Sequence, residues 1–261
     1  MKYSFIFLFI ITQSCFAQGW EADITMGVSG YNGDLTEHIF SPKSMEPSAG
    51  FNLRYNFDDI IIVRGGFSWG KVSADDKNNH QQDLKARNLN FRTNILEGNL
   101  CAELNLFEPE YYNAYPYVFI GIGMFHFNPY TYDRDGNKTY LQPLGTEGQG
   151  LAGYPGRKPY SLTQFCLPFG GGMKINISKR CDLVYEIGGR FLFTDYLDDV
   201  STTYVNTQTL MANSKAKTAE LAYRQTINRS PAEGDIRGNP KVKDWYFISG
   251  FKLLLRLGKE K

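Results

Sequence analysis

Few residues in this chain could do acid–base chemistry. Its three histidines are His38, His80 and His126, and the first two fall in segments without a regular hydrophobic pattern. An acyl-transfer or hydrolytic site requires a nucleophile or an activated water beside a histidine. His126 is followed by Phe127 and Asn128, with no serine at the alternate position. We therefore predict that the protein is not an enzyme and interpret His126 as a rim residue.

Two acidic segments are candidates for cation binding. Segment 133–137 (DRDGN) is similar to a calcium-binding loop, but its glycine is misplaced and the closing glutamate is missing. Because Asp-Gly is a common turn sequence, we predict a turn there. The second segment contains Asp195, Asp198 and Asp199, which we interpret as the solvated start of a loop. We expect no metal and no cofactor.

The charge balance excludes one class of partner. The formal net charge is +1, and the charged residues are spread evenly, without the basic stripe that neutralises phosphates. We therefore predict that nucleic acid is not a partner. Besides Cys15, the chain contains Cys101, Cys166 and Cys181, which allow at most one disulfide bond in an oxidising compartment.

The N-terminus has the pattern of an export signal. Lys2 precedes an apolar run over residues 3–12, and a small-x-small sequence ends at Ala17. The run is much shorter than the about 20 residues of a membrane-spanning helix. A second interpretation makes Cys15 a lipoprotein cysteine, but the three residues before it match that pattern poorly. We predict a signal peptide over residues 1–17 and one outer-membrane β-barrel domain over residues 18–261.

The dominant pattern after the signal is an alternation with a period of two. Trp20, Ala22, Ile24, Met26 and Val28 alternate with polar residues and glycine. Successive side chains of a strand point to opposite faces of its sheet, so each such segment predicts a strand with one apolar face. In 115–127 both faces are apolar, and its two faces stay unassigned. The predicted strands are 20–28, 49–57, 61–69, 96–106, 115–127, 165–175, 183–191 and 245–257.

The connections between these strands alternate in length. Long connections follow the first, third, fifth and seventh strands, and short ones follow the others. Outer-membrane barrels have short periplasmic turns and long extracellular loops. The last long connection includes residues 209–226, which are rich in helix formers and predict a short helix. The fold class predicted is all-β, an eight-stranded antiparallel transmembrane barrel in the outer membrane of a Gram-negative bacterium.

The size of the apolar side chains decides which face points outward. The interior of an eight-stranded barrel is only just wide enough to be filled by side chains. The many Phe, Leu, Ile and Trp residues of the apolar stripes are too bulky for it, so we expect them to face lipid. Trp20, Tyr55 and Tyr185 would then line one membrane interface, and Trp69 and Trp245 the other.

The opposite face places charges in the lumen. Because unpaired buried charge is costly, we expect these acids and bases to pair with one another and close the barrel. The inward acids are Glu21, Asp23, Glu97, Glu103 and Glu186, and the inward bases are Arg54, Arg64, Lys174, Arg190, Lys252 and Arg256.

Several motifs together resemble one known family. They are 31–35 (YNGDL), 141–150 (LQPLGTEGQG), 168–172 (PFGGG), 193–200 (FTDYLDDV), 238–240 (GNP) and 244–246 (DWY). In combination they resemble the PorG-like outer-membrane proteins of Bacteroidota. The resemblance implies an outer-membrane component of the type IX secretion system, with periplasmic ring subunits or a lipoprotein of that apparatus as partners.

Two functional classes follow from these patterns. The first is a structural or assembly component of a secretion apparatus, and the second is a stand-alone structural or small-ligand-binding barrel. For the first we predict docking at the turn 108–114, whose adjacent Tyr111 and Tyr112 have the character of interface residues. The alternative is that both rings lie in the lipid headgroup belt.

Overall fold

The computed structural model describes residues 19–38, 40–213, 216–225 and 231–257. The predicted signal peptide lies outside the described residues. The strands are β1 Trp20–Asn32, β2 Glu46–Asn56, β3 Ile61–Asp75, β4 Asn90–Asn105, β5 Ala114–His126, β6 Tyr130–Tyr132, β7 Lys138–Tyr140, β8 Thr163–Ser178, β9 Cys181–Leu192 and β10 Trp245–Arg256. The α-helices are α1 Gln82–Arg87, α2 Thr207–Asn213 and α3 Ala216–Ala222.

Eight of the strands form one closed antiparallel barrel. The order is β1-β2-β3-β4-β5-β8-β9-β10, and β10 pairs with β1 to close the ring. Strands β6 and β7 form a short hairpin that joins the barrel where Tyr130 pairs with Arg92 of β4. The predicted fold class and all eight predicted strands are confirmed. No helix within the described residues is long and apolar enough to cross a membrane.

The connections divide the barrel into a short-turn end and a long-loop end. The short turns are residues 57–60, 106–113 and 179–180, and the long loops are residues 33–45, 76–89, 127–162 and 193–244. The predicted alternation of connection lengths is therefore present. The helix predicted within 209–226 is two short helices in the described residues, α2 and α3.

The outer surface of the barrel wall is apolar. Met26 is 72% exposed and Phe67 is 76% exposed, and the other predicted apolar stripes point outward with them. So large a surface of exposed apolar side chains requires an apolar medium around it. The wall is consistent with burial in hydrocarbon, as the size argument predicted.

Strand β5 resolves the one segment whose faces were unassigned. Its inward residues include the aromatic side chains Tyr117 and Phe119, which lie over glycines of β8 and β9. A Cβ added at Gly172 would lie 2.8 Å from the Tyr117 ring, and one at Gly188 would lie 2.6 Å from the Phe119 ring. Glycine at these positions makes room for large rings in a narrow lumen, which explains why both faces of β5 are apolar.

One predicted lipid-facing residue has a different environment. Phe247 has the outward position in β10 but is only 2% exposed. Phe40 of the first long loop covers it, with ring centroids 4.8 Å apart, and Gly30 of β1 lies beneath the ring. A long loop folding back over the wall is a tertiary contact that alternation does not encode.

The outward positions allow a direct test of the orientation. Leu100 and Phe169 are about half exposed on the wall. We expect Leu100→Arg or Phe169→Arg to reduce the amount of folded protein in the membrane fraction, because a cation near the bilayer midplane costs about 2–4 kcal/mol. Ile236→Arg, in an exposed loop, is the matched control and should insert normally. Normal insertion of both wall variants would contradict this orientation.

Candidate functional site: a charged lumen under a loop cap

The centre of the lumen is organised around the Glu103 carboxylate. Glu103 of β4 accepts hydrogen bonds from Arg54 and Lys174, and its Oε2 lies 3.4 Å from Nη1 of Arg64. Lys174 also donates to Asn105 Oδ1 at 2.8 Å. These charged side chains are almost wholly buried, so their stability depends on the pairing.

A second carboxylate, Glu186, continues the network toward the long-loop end. Its Oε2 lies 2.5 Å from Arg64 Nη1 and 2.9 Å from Lys252 Nζ, and it accepts a hydrogen bond from the Tyr117 hydroxyl at 2.5 Å. Arg64 therefore bridges Glu103 and Glu186. The two carboxylates and their cations form one connected network across the barrel.

A third layer lies closer to the long-loop end. Glu97 accepts hydrogen bonds from Arg190 Nε at 2.9 Å and from the Tyr246 hydroxyl at 2.5 Å. Above it, an apolar cluster that includes Phe125, Phe127 and Leu192 fills the mouth of the barrel. The lumen thus changes from charged to apolar before it reaches the loops.

All eleven charges predicted to point inward lie in the lumen. Ten are buried, and Arg256 is half-buried at the short-turn end. There Arg256 Nη2 lies 2.6 Å from Asp182 Oδ2, and Asp182 is an inward acid that is not among the predicted lumen charges. The signal was available, because the inward alternation of Val184 and Glu186 extends back to position 182.

Little space remains between these side chains. One cavity of ≈ 30 Å³ lies beside Arg64, Glu186 and Lys252, and one of ≈ 20 Å³ lies beside Glu21 and Lys174. Each has room for about one or two water molecules. We therefore interpret the lumen as closed by the described side chains.

Four long loops form a cap over the barrel, and Glu147 is one of its two centres. Its carboxylate accepts hydrogen bonds from the backbone N–H groups of Ser201 and Thr202 at 3.0–3.2 Å and from Arg237 Nη1 at 2.8 Å. Arg237 also donates to the Asp199 carbonyl at 2.6 Å. Glu147 thereby joins the loops 127–162 and 193–244.

The other centre is a pair of aspartates around one tyrosine hydroxyl. Tyr31 Oη lies 2.5 Å from Asp198 Oδ2 and 3.2 Å from Asp244 Oδ1. The remaining oxygens accept backbone hydrogen bonds from Val200 and Leu197, at 2.8 and 2.9 Å. Both carboxylates are buried, and neither has a cationic partner within the described residues. Two buried carboxylates that share one hydroxyl donor favour the protonated form of at least one of them.

The interpretation of 195–199 as a solvated loop start is wrong. Asp198 is 1% exposed and Asp199 is fully buried, while Asp195 accepts a hydrogen bond from Ser201 at 2.7 Å. Burial raises the pKa of Asp195 to about 6 and that of Asp199 to about 6. Burial, followed by the charge of Asp244, raises the pKa of Asp198 well above its usual range. Tyr31, Tyr160 and Arg237, which bury Asp198 and Asp199, are 38 or more positions away in the sequence, so no local pattern could reveal this burial.

Arg87 connects three loops at the edge of the cap. It forms a bidentate pair with Asp76, with both distances 2.7 Å, and donates to the Arg237 carbonyl at 2.6 Å and to the Asp34 carbonyl at 2.8 Å. Asp34 in turn accepts the Asn239 N–H. Five of the six motifs that carry the family resemblance therefore meet in this cap, whereas 168–172 lies in the barrel wall.

The remaining candidate residues lie apart from these centres. His38 and His80 are exposed, with ring centroids 6.3 Å apart, and His126 Nδ1 lies 3.0 Å from Thr163 Oγ1 on the outer surface. Tyr111 and Tyr112 lie on the exposed short turn 106–113. Within the described residues, no group of three or more His, Cys, Asp or Glu side chains could hold a metal ion, and Cys101, Cys166 and Cys181 are free.

A closed eight-stranded wall, a charge-filled lumen and a folded cap define a small antiparallel β-barrel. The sequence then identifies the family: the chain belongs to the family described as a domain of unknown function, DUF6089, whose profile matches residues 1–144. No curated protein is significantly similar to this chain. Membership of the PorG-like group stays a prediction.

Solved structures similar to this chain include outer-membrane proteins and a surface protein. Neisserial surface protein A aligns with 91% of this chain and 97% of its own, with a TM-score of 0.43 and 9% identity. A major outer membrane protein from Thermus thermophilus aligns with 90% of this chain and 98% of its own, with a TM-score of 0.43 and 9% identity. OprG from Pseudomonas aeruginosa aligns over 90% and 96%, with a TM-score of 0.41 and 10% identity.

The filled lumen predicts electrical behaviour. In planar bilayers we expect the purified protein to show no steady, large conductance, because the networks around Glu103 and Glu186 occupy the cross-section. Single-channel recording is the measurement, with a water-filled porin in the same bilayer as the positive control. A reproducible open pore in the folded protein would refute the closed lumen.

The cap should become less stable as the pH rises. Its carboxyl groups with a raised pKa bind protons more tightly in the folded cap than in the unfolded loops, where aspartate ionises near pH about 4. Opening therefore releases protons, and the free energy of opening falls as the pH rises from about 4 through about 6. Hydrogen–deuterium exchange of residues 193–204, corrected for the intrinsic exchange rates, measures this free energy of opening.

Asp198→Asn should reduce this pH dependence. The amide keeps an oxygen for the Val200 N–H and places its NH₂ group against the Tyr31 hydroxyl, which can then donate to Asp244 at every pH. We expect the free energy of opening near neutral pH to rise by about 1 kcal/mol or more. Asp135→Asn, at an exposed position, is the control and should leave the profile unchanged. Opening that is independent of pH in the unmodified protein would contradict the retention of a proton in the folded cap.

Proposed function

We propose that this protein lies in the outer membrane as a structural or assembly component of a secretion apparatus of the type IX kind. The observation that carries the proposal is the filled lumen under a closed cap. A barrel without a channel acts through its surfaces, which are the wall, the cap and the short-turn rim. We propose no catalytic role, since the one hydroxyl that lies within hydrogen-bond distance of a histidine in the described residues, Thr163 beside His126, is on the exposed outer surface of the barrel.

The membrane orientation is part of the proposal. The apolar wall supports burial in a bilayer, and a closed barrel leaves no unpaired strand edge in hydrocarbon. The short-turn end would face the periplasm and the long-loop end the outside, as in outer-membrane barrels generally. The N-terminal export pattern supports the same location.

The periplasmic rim offers an aromatic surface for a partner. Tyr111 is 71% exposed and Tyr112 is 51% exposed, and the Phe107 ring lies 5.3 Å from the Tyr112 ring. Exposed tyrosines contribute strongly to protein interfaces because they add apolar area and a hydroxyl group at little entropic cost. We propose periplasmic ring subunits or a lipoprotein of the apparatus as the partner at this turn.

The second candidate function is a stand-alone ligand-binding barrel. A cleft of ≈ 530 Å³ opens at the edge of the cap, with Asp34, Arg87, Tyr204 and Arg237 in its lining. Its size falls in the range of small-molecule sites. A chain purified without any periplasmic partner but with a bound small molecule in this cleft would favour the second function.

The double variant Tyr111→Ser/Tyr112→Ser tests the docking turn. If the rings contact a partner, we expect the variant to insert normally and to lose most of the ring subunits that co-purify with the native protein from crosslinked membranes. If the rings belong to the headgroup belt, insertion should weaken and partner recovery per folded barrel should stay constant.

Phe57→Ser is the matched control, because Phe57 is an exposed aromatic on the neighbouring short turn. Its ring stacks edge-on against Tyr55, with centroids 4.8 Å apart, as expected of an interfacial residue. We expect this variant to keep the partner. A double tyrosine variant that inserts normally and retains the partner would exclude the turn as the docking site.

A further inference from the structure

The outward face of β4 changes character near the long-loop end. Leu96 and Leu100 point outward from the wall, and Leu96 pairs in register with Trp69 and His126. A tryptophan beside a polar ring is typical of the membrane interface, so this level marks the edge of the hydrocarbon. Arg92 has the same outward orientation four residues further along. At about 3.3 Å per residue on a tilted strand, it lies roughly 10 Å above that edge, within the headgroup region.

The β6–β7 hairpin extends this outward face. Tyr130 pairs with Arg92 and with Tyr140, and Tyr132 pairs with Lys138, so the four hairpin side chains share the face of Arg92. Lys138 Nζ lies 3.9 Å from the Tyr130 ring centroid and 4.8 Å from that of Tyr140. The Arg92 guanidinium lies 5.9 Å from the Tyr132 ring centroid. Two cations are thus framed by tyrosine rings on one surface.

These two cations differ from their neighbours in having no acidic partner. Lys71, on the adjacent strand, pairs with Glu46 at 3.4 Å, and Lys217, beside the hairpin tip, pairs with Asp133 at 2.5 Å. Among the described residues, neither Arg92 nor Lys138 forms a salt bridge or donates a side-chain hydrogen bond, and both are exposed. Their positive charge is therefore free to bind an anion that approaches from the membrane side.

We propose that Arg92 and Lys138 bind the phosphate of a phosphorylated glycolipid of the outer leaflet. The guanidinium can take a phosphate bidentately, while the ammonium acts as a point charge beside it. The acyl chains of the same lipid would lie on the outward leucines Leu96 and Leu100, with which the basic face is continuous. Basic clusters adjoining an apolar span are the sites at which membrane proteins select anionic headgroups. The inference depends on the proposed outer-membrane orientation.

Native mass spectrometry of the purified protein in detergent micelles tests the site. The probes are bis-phosphorylated lipid A, the same lipid A dephosphorylated, and inorganic pyrophosphate. We expect the protein to prefer the phosphorylated lipid, and Arg92→Gln/Lys138→Gln to weaken that binding roughly tenfold or more. Lys158→Gln/Lys241→Gln removes the same charge from two exposed residues in other parts of the long loops and should bind as the unmodified protein does.

Three outcomes would overturn the assignment. Equal binding of phosphorylated and dephosphorylated lipid A by the unmodified protein excludes phosphate recognition, and this comparison does not depend on the folding of any variant. Equal weakening in both double variants indicates an effect of net charge alone. Displacement of the lipid by pyrophosphate at equal concentration would assign the site to a free phosphate compound.

The results that would refute the proposed function differ from those that would refute the lipid site. If the Arg92→Gln/Lys138→Gln protein loses its lipid preference but fractionates with the outer membrane and keeps its periplasmic partner, the lipid site is supported as an independent feature. If the unmodified protein binds phosphorylated lipid A selectively but has no periplasmic partner, the lipid site stands and the secretion role is refuted.

Discussion

The need to neutralise buried charge in a narrow closed barrel determines most of this structure. Glu103 binds Arg54 and Lys174 and lies near Arg64, and Arg64 continues to Glu186. Each carboxylate would be costly alone at this depth, and each cation likewise, so neither strand register nor side-chain identity can change independently. With Asp182, the lumen contains six acids and six bases, counting the named inward residues of the described chain. The network connects strands around the whole ring. It therefore stabilises the closed barrel as well as filling the lumen.

The need to neutralise buried charge also determines the structure of the cap, but the charges there are satisfied in a different way. Glu147 is satisfied by Arg237 and by backbone N–H groups, whereas Asp198 and Asp244 share the hydroxyl of Tyr31 and no cation. The first arrangement tolerates ionised groups, and the second favours a retained proton. Long loops are usually mobile, but these contain buried charged groups that tie them to one another and to β1. The cap is therefore a folded unit, and we expect its stability to depend on proton binding.

The charged side chains of the lumen and the cap of long loops close this barrel. Three surfaces remain available for binding other molecules. Tyr111 and Tyr112 lie at the short-turn rim, Arg92 and Lys138 at the outer rim, and the cleft beside Arg87 at the cap. The first would take a protein and the second a lipid, and they lie at opposite ends of the strands. With both proposed partners bound, the barrel would connect a periplasmic protein to a lipid of the outer leaflet.

The sequence by itself determined the wall of this protein. The alternation from Trp20 to Val28 and in seven other segments specifies the strands, because side-chain direction in a strand depends only on position. Except in 115–127, it also specifies the two faces, and with them all the named inward charges but Asp182. It did not determine the cap. Asp198 and Asp199 read as solvent-exposed loop residues because the groups that bury them, Tyr31 of β1 and Tyr160 and Arg237 of two long loops, are 38 or more positions away. The sequence also did not determine that Phe40 covers Phe247, or that Arg92 lies unpaired beside the hairpin. Contacts between loops depend on how the closed barrel brings their ends together, and only the tertiary structure decides that.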